Sequence, residues 1–400
     1  MNMSVCCRLL LLSMVFCGPL VGQPRSTTAE DSLMRSRATQ NTTTIGGYGN
    51  ALYQRDFNAK TATATLERLV LFVGHRFGRG IAFFSEIEVE DAKVSGGENG
   101  GEVAVEQAYV RFSLTPNHYA TAGLFIPRIG ILNEDHLPTS FNGNERTQVE
   151  TYIIPSTWRE LGIGFYGAEP SLGLYYSAAV VNGLNSAGFE HGTVIRGGRF
   201  EGRQASANNL AVTGAVQIRD GSLTLQASGY YGGTVGLAVE AAETLKLASG
   251  MFGTPVLVAE AHAQYEADGF SAKILGAMVS IPNAFEINRA YGNNTPQQSF
   301  GAYAEAAYNV LEGMKGMEGQ ALNLFARYER LDMNQQIPSN GTLDPLLQQD
   351  HVTGGASFLP TPNVVVKADV RFMHTGTPSP LPAGFKPNNT FLNLGVGYSF

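Results

Sequence analysis

From residue 43 to the C-terminus the sequence alternates apolar and polar residues in segments of about ten, and a period of two marks strands with two unlike faces. Residues 390–400 are the clearest case: Leu392, Leu394, Val396, Tyr398 and Phe400 share one parity, and Asn393, Gly395, Gly397 and Ser399 the other. The same rule separates Val364, Val366, Ala368, Val370 and Phe372 from Lys367, Asp369 and Arg371. It also separates Leu257, Ala259, Ala261, Ala263 and Tyr265 from Glu260, His262, Gln264 and Glu266. Segments 62–76 and 102–114 break it, with charges on both parities (Glu67 and Arg68; Glu106 and Arg111), which calls for a bulge or an interface position there.

Counted this way, sixteen strands are predicted, near residues 43–54, 63–76, 80–92, 102–114, 119–127, 159–168, 172–182, 209–219, 222–232, 255–266, 270–280, 299–309, 320–332, 350–359, 363–374 and 390–400. Alternate connections are tight, and the others are longer and polar, the longest being 128–158 and the next 183–208. Short turns at one end and long loops at the other are the signature of an antiparallel up-and-down transmembrane β-barrel. A soluble sandwich would show large aliphatics on one face and dense charge on the other. Here the apolar stripes hold Ala, Gly, Val and Tyr, with aromatics such as Tyr231, Tyr265 and Tyr308 near segment ends, and no blade-length repeat suggests a propeller.

Composition fits. Charged residues are 15% against about 25% in ordinary soluble proteins, and Gly is 47 of 400, while the hydrophobic fraction is 44%. No apolar run of about 20 residues predicts a spanning helix. The formal charge of −7 argues against a nucleic-acid partner.

At the N-terminus, Arg8 precedes the apolar stretch Leu9 to Val21, a secretory signal expected to be cleaved near Gly22. The expected division is therefore residues 1–22 as signal peptide, 23–42 as a flexible periplasmic segment and 43–400 as one barrel domain. Cys6, Cys7 and Cys17 all fall in the segment to be removed, so disulfides and thiolate chemistry are not expected in the mature chain.

The ending Asn393-Leu394-Gly395-Val396-Gly397-Tyr398-Ser399-Phe400 is similar to the C-terminal assembly signal of outer-membrane proteins, with Asn393, Gly395, Tyr398 and Phe400 at its marked positions. Further stretches carry a broader likeness: Ile45 to Gly49, Phe83 to Glu90, Glu106 to Val110, Ala122 to Pro127 and Tyr152 to Trp158. Through them the chain resembles the phosphate-selective porin O and P superfamily in its broad sense. The resemblance implies a sixteen-stranded barrel in the outer membrane of a Gram-negative-type bacterium. It also implies a homotrimer in contact with lipid and lipopolysaccharide, inserted by the barrel-assembly machinery, with the third long loop folded inward. Phosphate selectivity in that family rests on an arginine ladder and a lysine-rich vestibule, and neither is recognisable here.

If the apolar parity faces lipid, the polar parity faces a water-filled lumen. Expected lumen residues then include Glu86, Glu88, Glu260, Lys273, Arg327, Lys367, Asp369 and Arg371, with acids outnumbering bases along the strands. Mixed charge argues against strong anion selectivity, which needs a ring of nearly one sign. The third loop and adjacent wall offer Arg128, Glu134, Asp135, Glu145, Arg146, Glu150 and Arg159. By resemblance, acids on this loop facing arginines on the wall narrow the pore and set a transverse field. Arg196, Arg199 and Arg203 in the fourth loop are candidate anion contacts at the mouth. An enzyme is not expected: the seven histidines form no HExxH, and G-x-S-x-G and the Walker loop are absent. No cofactor or metal is expected. The function so predicted is passive diffusion of ions and small hydrophilic solutes, with a selective anion porin as the alternative and a receptor, adhesin or hydrolase barrel behind it.

Overall fold

The computed structural model describes residues 41–91, 103–236 and 239–400. The expected signal peptide, and all but the last two residues of the expected periplasmic segment, lie outside these. Sixteen antiparallel strands close into one barrel in which each pairs with its sequence neighbours and the last with the first. They are Thr42–Asp56 (β1), Thr61–Arg76 (β2), Ile81–Glu90 (β3), Val103–Thr115 (β4), His118–Phe125 (β5), Glu160–Glu169 (β6), Leu174–Asn182 (β7) and Leu210–Asp220 (β8). There follow Leu223–Gly232 (β9), Val256–Ala267 (β10), Phe270–Ser280 (β11), Gln298–Asn309 (β12), Ala321–Gln336 (β13), Gln348–Thr361 (β14), Val364–Thr375 (β15) and Asn388–Ser399 (β16). The count matches the parity reading, and every boundary but the end of β13 lies within two residues of it.

Closure leaves no sheet edge, as a membrane-spanning sheet requires. The seam is made by β1 and β16, where Tyr48 pairs with Ser399 and Gly47 exchanges both backbone hydrogen bonds with Phe400. Gly47 has to be glycine, because a Cβ there would lie 2.5 Å from the Val70 carbonyl oxygen and 2.9 Å from the Phe400 ring. Among the described residues no helix is long and apolar enough to cross a membrane; the strands do it.

Side chains divide by parity as expected. Val366 and Phe372 on β15 are 50% and 54% exposed on the outer face, while Lys367 and Asp369 between them are 5% and 3% exposed inside. Outward aromatics gather near both rims: Tyr265 and Phe270 lie 6.3 Å apart at the β10–β11 turn, and Tyr231 and Phe252 lie 5.7 Å apart at the opposite end. Two aromatic girdles around an apolar band fit a barrel seated in a bilayer.

Both off-parity segments contain a bulge. Between β1 and β2 the register slips so that Glu67 is skipped, and between β3 and β4 so that Glu106 is skipped. The extra residue in each strand re-aims its side chain. Glu106 is thereby turned fully inward, where it accepts a hydrogen bond from the Tyr48 hydroxyl at 2.9 Å.

Simple parity misreads one region. On β10 and β11 the inward residues Val256, Val258, Leu275, Ala277 and Val279 are apolar and buried, because in this half of the barrel a folded loop covers them instead of water.

Candidate functional site: a loop inside the barrel

The loop joining β5 to β6, residues 126–159 and called loop 3 below, is the third on its side and enters the lumen. Its apolar residues provide the drive: Ile129, Val149, Ile153, Ile154 and Trp158 join one buried cluster with Val258, Leu275, Tyr303 and Leu331 of the wall. A single irregular turn, Val149–Ile153, sits in the hollow left by Gly301, where a Cβ would approach Ile153 Cγ1 to 2.8 Å.

Glu150 fastens this turn. Its Oε1 accepts from the Ile131 and Leu132 amides at 2.6 and 2.7 Å, and its Oε2 from the Tyr303 hydroxyl at 2.7 Å and Thr147 Oγ1 at 3.2 Å. The sequence reading gave Glu150 to the pore constriction. Its carboxylate is instead sealed within the loop, because backbone amides of the loop's first half need an acceptor where water is excluded.

The tip of the loop, residues 141–145, is clamped to the wall formed by β12–β16. Lys367 Nζ donates to the carbonyls of Phe141 and Gly143 at 2.8 and 2.7 Å and lies 3.8 Å from the centre of the Phe141 ring. Asp369 Oδ2 accepts from the amide and side chain of Asn144 at 2.8 and 2.6 Å. Arg371 grips Glu145 with two hydrogen bonds of 2.7 and 3.1 Å, and Asn393 donates to the same carboxylate at 3.0 Å. Arg327 bridges Glu305 and Glu329 at 3.1 and 2.9 Å and donates to the Asn142 carbonyl at 3.3 Å. Space for the tip comes from glycine: a Cβ on Gly395 would run into Asn144 Oδ1, and one on Gly397 would lie 2.5 Å from Pro138 Cβ.

The opposite side of the loop reverses the charges. There the wall supplies acids, Glu86, Glu88 and Glu106, and the loop supplies His136 and Arg146. Arg68 on β2 lies 3.7 Å from Glu88 and 3.5 Å from Glu67. At Glu145 and Arg371 the acid is on the loop and the arginine on the wall, and across the loop the signs are inverted.

Between loop 3 and the β1–β6 wall lies a cleft of about 180 Å³. Its rim carries Glu86, Glu134, Asp135 and His136 with Arg128, on a floor that includes Tyr109, Tyr119 and Tyr166. Tyr119 and Tyr166 stack at 4.7 Å, with the Arg111 guanidinium 3.5 Å from the first ring and that of Arg128 5.0 Å from the second.

The other predicted residues have further partners. Arg146 donates to Ser156 and Thr157 within the loop, and Arg159 pairs with Glu201 at 3.0 Å. Glu260 is buried with His262 Nδ1 at 2.7 Å, and Lys273 faces Gln264 and Glu305 in register on its neighbouring strands. Arg196, Arg199 and Arg203 do not form an anion cradle. Arg196 donates to the Thr151 carbonyl at 3.2 Å, Arg199 is held by Glu201 at 2.8 Å, and Arg203 is exposed. Burial pulls the Arg199 guanidinium down to about 10, against the opposing pull of Glu201. Tyr48, Glu106 and Tyr303 are absent from the predicted site, and of the three only Glu106 carries a signal, by breaking parity.

No protein-family model matches the chain. A curated relative does: an uncharacterized protein of Aquifex aeolicus (strain VF5), 31% identical over 338 residues, which cover 81% of this chain and 74% of that one. The chain belongs to the family of that Aquifex protein. Among solved structures the barrel is similar to OmpF of Salmonella typhi in complex with daunomycin (TM-score 0.58, 13% identity, 90% of this chain and 98% of that chain). It is also similar to the trimer form of OmpT, an outer-membrane protein of Vibrio cholerae (0.52, 13%, 90% and 99%). A third is the outer-membrane channel DcaP of Acinetobacter baumannii (0.52, 10%, 90% and 97%). At these identities the likeness is one of fold, the sixteen-stranded fold of outer-membrane porins and channels at large. It does not single out the phosphate-selective porin O and P superfamily.

Proposed function

We propose that the chain is an outer-membrane porin: a water-filled channel for passive diffusion of ions and small hydrophilic solutes, narrowed by loop 3, with no enzymatic activity. The observation that carries this reading is the clamp of Lys367, Asp369 and Arg371 on the loop tip, which holds the loop to one wall and leaves a polar cleft along the other. The cleft rim sets three carboxylates, Glu86, Glu134 and Asp135, against Arg128, so small cations are favoured over anions in the narrow zone. The alternative of a phosphate-like anion porin has no support from the mouth arginines, which are spent on Thr151 and Glu201 or left apart. Assembly as a homotrimer is proposed on the fold likeness to porins that include a trimer form. Liposome swelling tests the reading: proteoliposomes should swell in small sugars and progressively less as the solute grows. Absence of swelling in every solute would end it.

A further inference from the structure

Folding assembles a ligand set that sequence spacing hides. The bulge delivers Glu106 into the lumen, β3 places Glu86 beside it, and loop 3 brings His136 from the other side. One carboxylate oxygen from each glutamate and one ring nitrogen of His136 lie within 4.8 Å of one another. Glu106 is fully buried, yet only its Oε2 is engaged, by Tyr48. Its Oε1 faces His136 Nε2 at 3.9 Å and has no hydrogen-bond partner among the described residues. His136 Nδ1 is buried without a partner as well. Glu88 Oε1 and Arg146 Nη2 lack hydrogen-bond partners too, and because buried polar atoms are ordinarily satisfied, four orphans in one cluster call for an occupant.

Charge indicates its nature. Four carboxylates, Glu67, Glu86, Glu88 and Glu106, stand against two guanidinium groups, Arg68 and Arg146. Arg68 is paired with Glu67 and Glu88, and Arg146 donates to Ser156 and Thr157 through Nη1 while its Nη2 has no partner; neither guanidinium hydrogen-bonds Glu106 Oε1. The Tyr48 hydroxyl donates to Glu106 Oε2 at 2.9 Å and lies 3.0 Å from His136 Nε2, so it holds both side chains in place. The cleft reaches Tyr48, Glu86 and His136, giving an entry path and room for bound water.

We propose that Glu86, Glu106 and His136 bind a divalent transition-metal cation of the zinc class, which joins loop 3 to the β1–β4 wall. One nitrogen and two oxygen ligands favour such an ion over calcium or magnesium, which prefer oxygen alone. The site goes beyond the channel reading and is tested without any conductance measurement, so the two can fail separately. Untagged full-length protein in detergent, stripped with chelator, is titrated with Zn2+ and in parallel with Ca2+ by calorimetry. One Zn2+ per chain is expected, weakened about tenfold or more by His136→Asn and by Glu106→Gln. His191→Asn, which alters a separate histidine–carboxylate pair at the mouth, should leave it unchanged. His136 lies on the loop rather than in a strand, so its variant carries the test if Glu106→Gln does not fold. Absence of saturable zinc binding, binding unaffected by His136→Asn, or calcium bound as tightly as zinc would overturn the proposal.

Discussion

Glu150→Ala is the sharpest test of how loop 3 is held. The carboxylate accepts four hydrogen bonds, two from the buried amides of Ile131 and Leu132 and two from the hydroxyls of Tyr303 and Thr147. A hydroxyl can turn to another acceptor, but a backbone amide in a closed turn cannot. The loss is therefore governed by the two amides, at about 1–3 kcal/mol for each buried donor left unsatisfied. Taking about 3 kcal/mol in all, and about 1.4 kcal/mol per tenfold, the local opening constant of the loop should rise about a hundredfold. Hydrogen exchange read by mass spectrometry on peptides spanning 126–137 measures this directly in detergent micelles. Strand amides should keep their protection, and Thr147→Ala, which removes the 3.2 Å contact and the 3.3 Å bond from the Glu150 amide but leaves the Ile131 and Leu132 amides their acceptor, should change the loop by no more than about tenfold. If Glu150→Ala left protection of 126–137 within threefold of wild type, the assignment of Glu150 as the fastener would be wrong.

Asp369→Ala removes the acceptor of both Asn144 hydrogen bonds and of Asn393, at about 1.5–3 kcal/mol for each charge-assisted bond lost, and should raise the open-channel current noise while the barrel still folds. Trp158, the single tryptophan, is 0% exposed and donates to Glu160 at 2.7 Å beside the Tyr230 ring. Its emission should be blue-shifted and insensitive to iodide in the folded protein, and rapid quenching would contradict a packed loop. Replacing Arg196, Arg199 and Arg203 together by glutamine should leave the reversal potential in a phosphate gradient unchanged; a clear shift would restore an anion site at the mouth.

The barrel was legible because its physics acts residue by residue: a strand between lipid and water must alternate, and Lys367, Asp369 and Arg371 between Val366, Val370 and Phe372 do so. Even the exceptions carried information, since the charges at Glu67 and Glu106 that broke parity are the bulged residues. The site was legible only in part, because lumen chemistry depends on which strand faces which loop. Nothing local to Glu150 distinguishes a carboxylate lining a pore from one fastening amides at Ile131 and Leu132. Val258, Leu275 and Val279 point into the barrel and are apolar because a loop from elsewhere in the chain covers them. Gly395 and Asn393 read as parts of an assembly signal, and their contacts with the loop tip emerge only when β16 stands beside β15.

Planar-bilayer recording of the purified wild-type protein across a potassium chloride gradient tests the central claim most directly. A cation-preferring porin predicts stable ohmic current without any energy source and a reversal potential displaced toward that of potassium. No conductance, or a reversal potential displaced toward that of chloride, would contradict it.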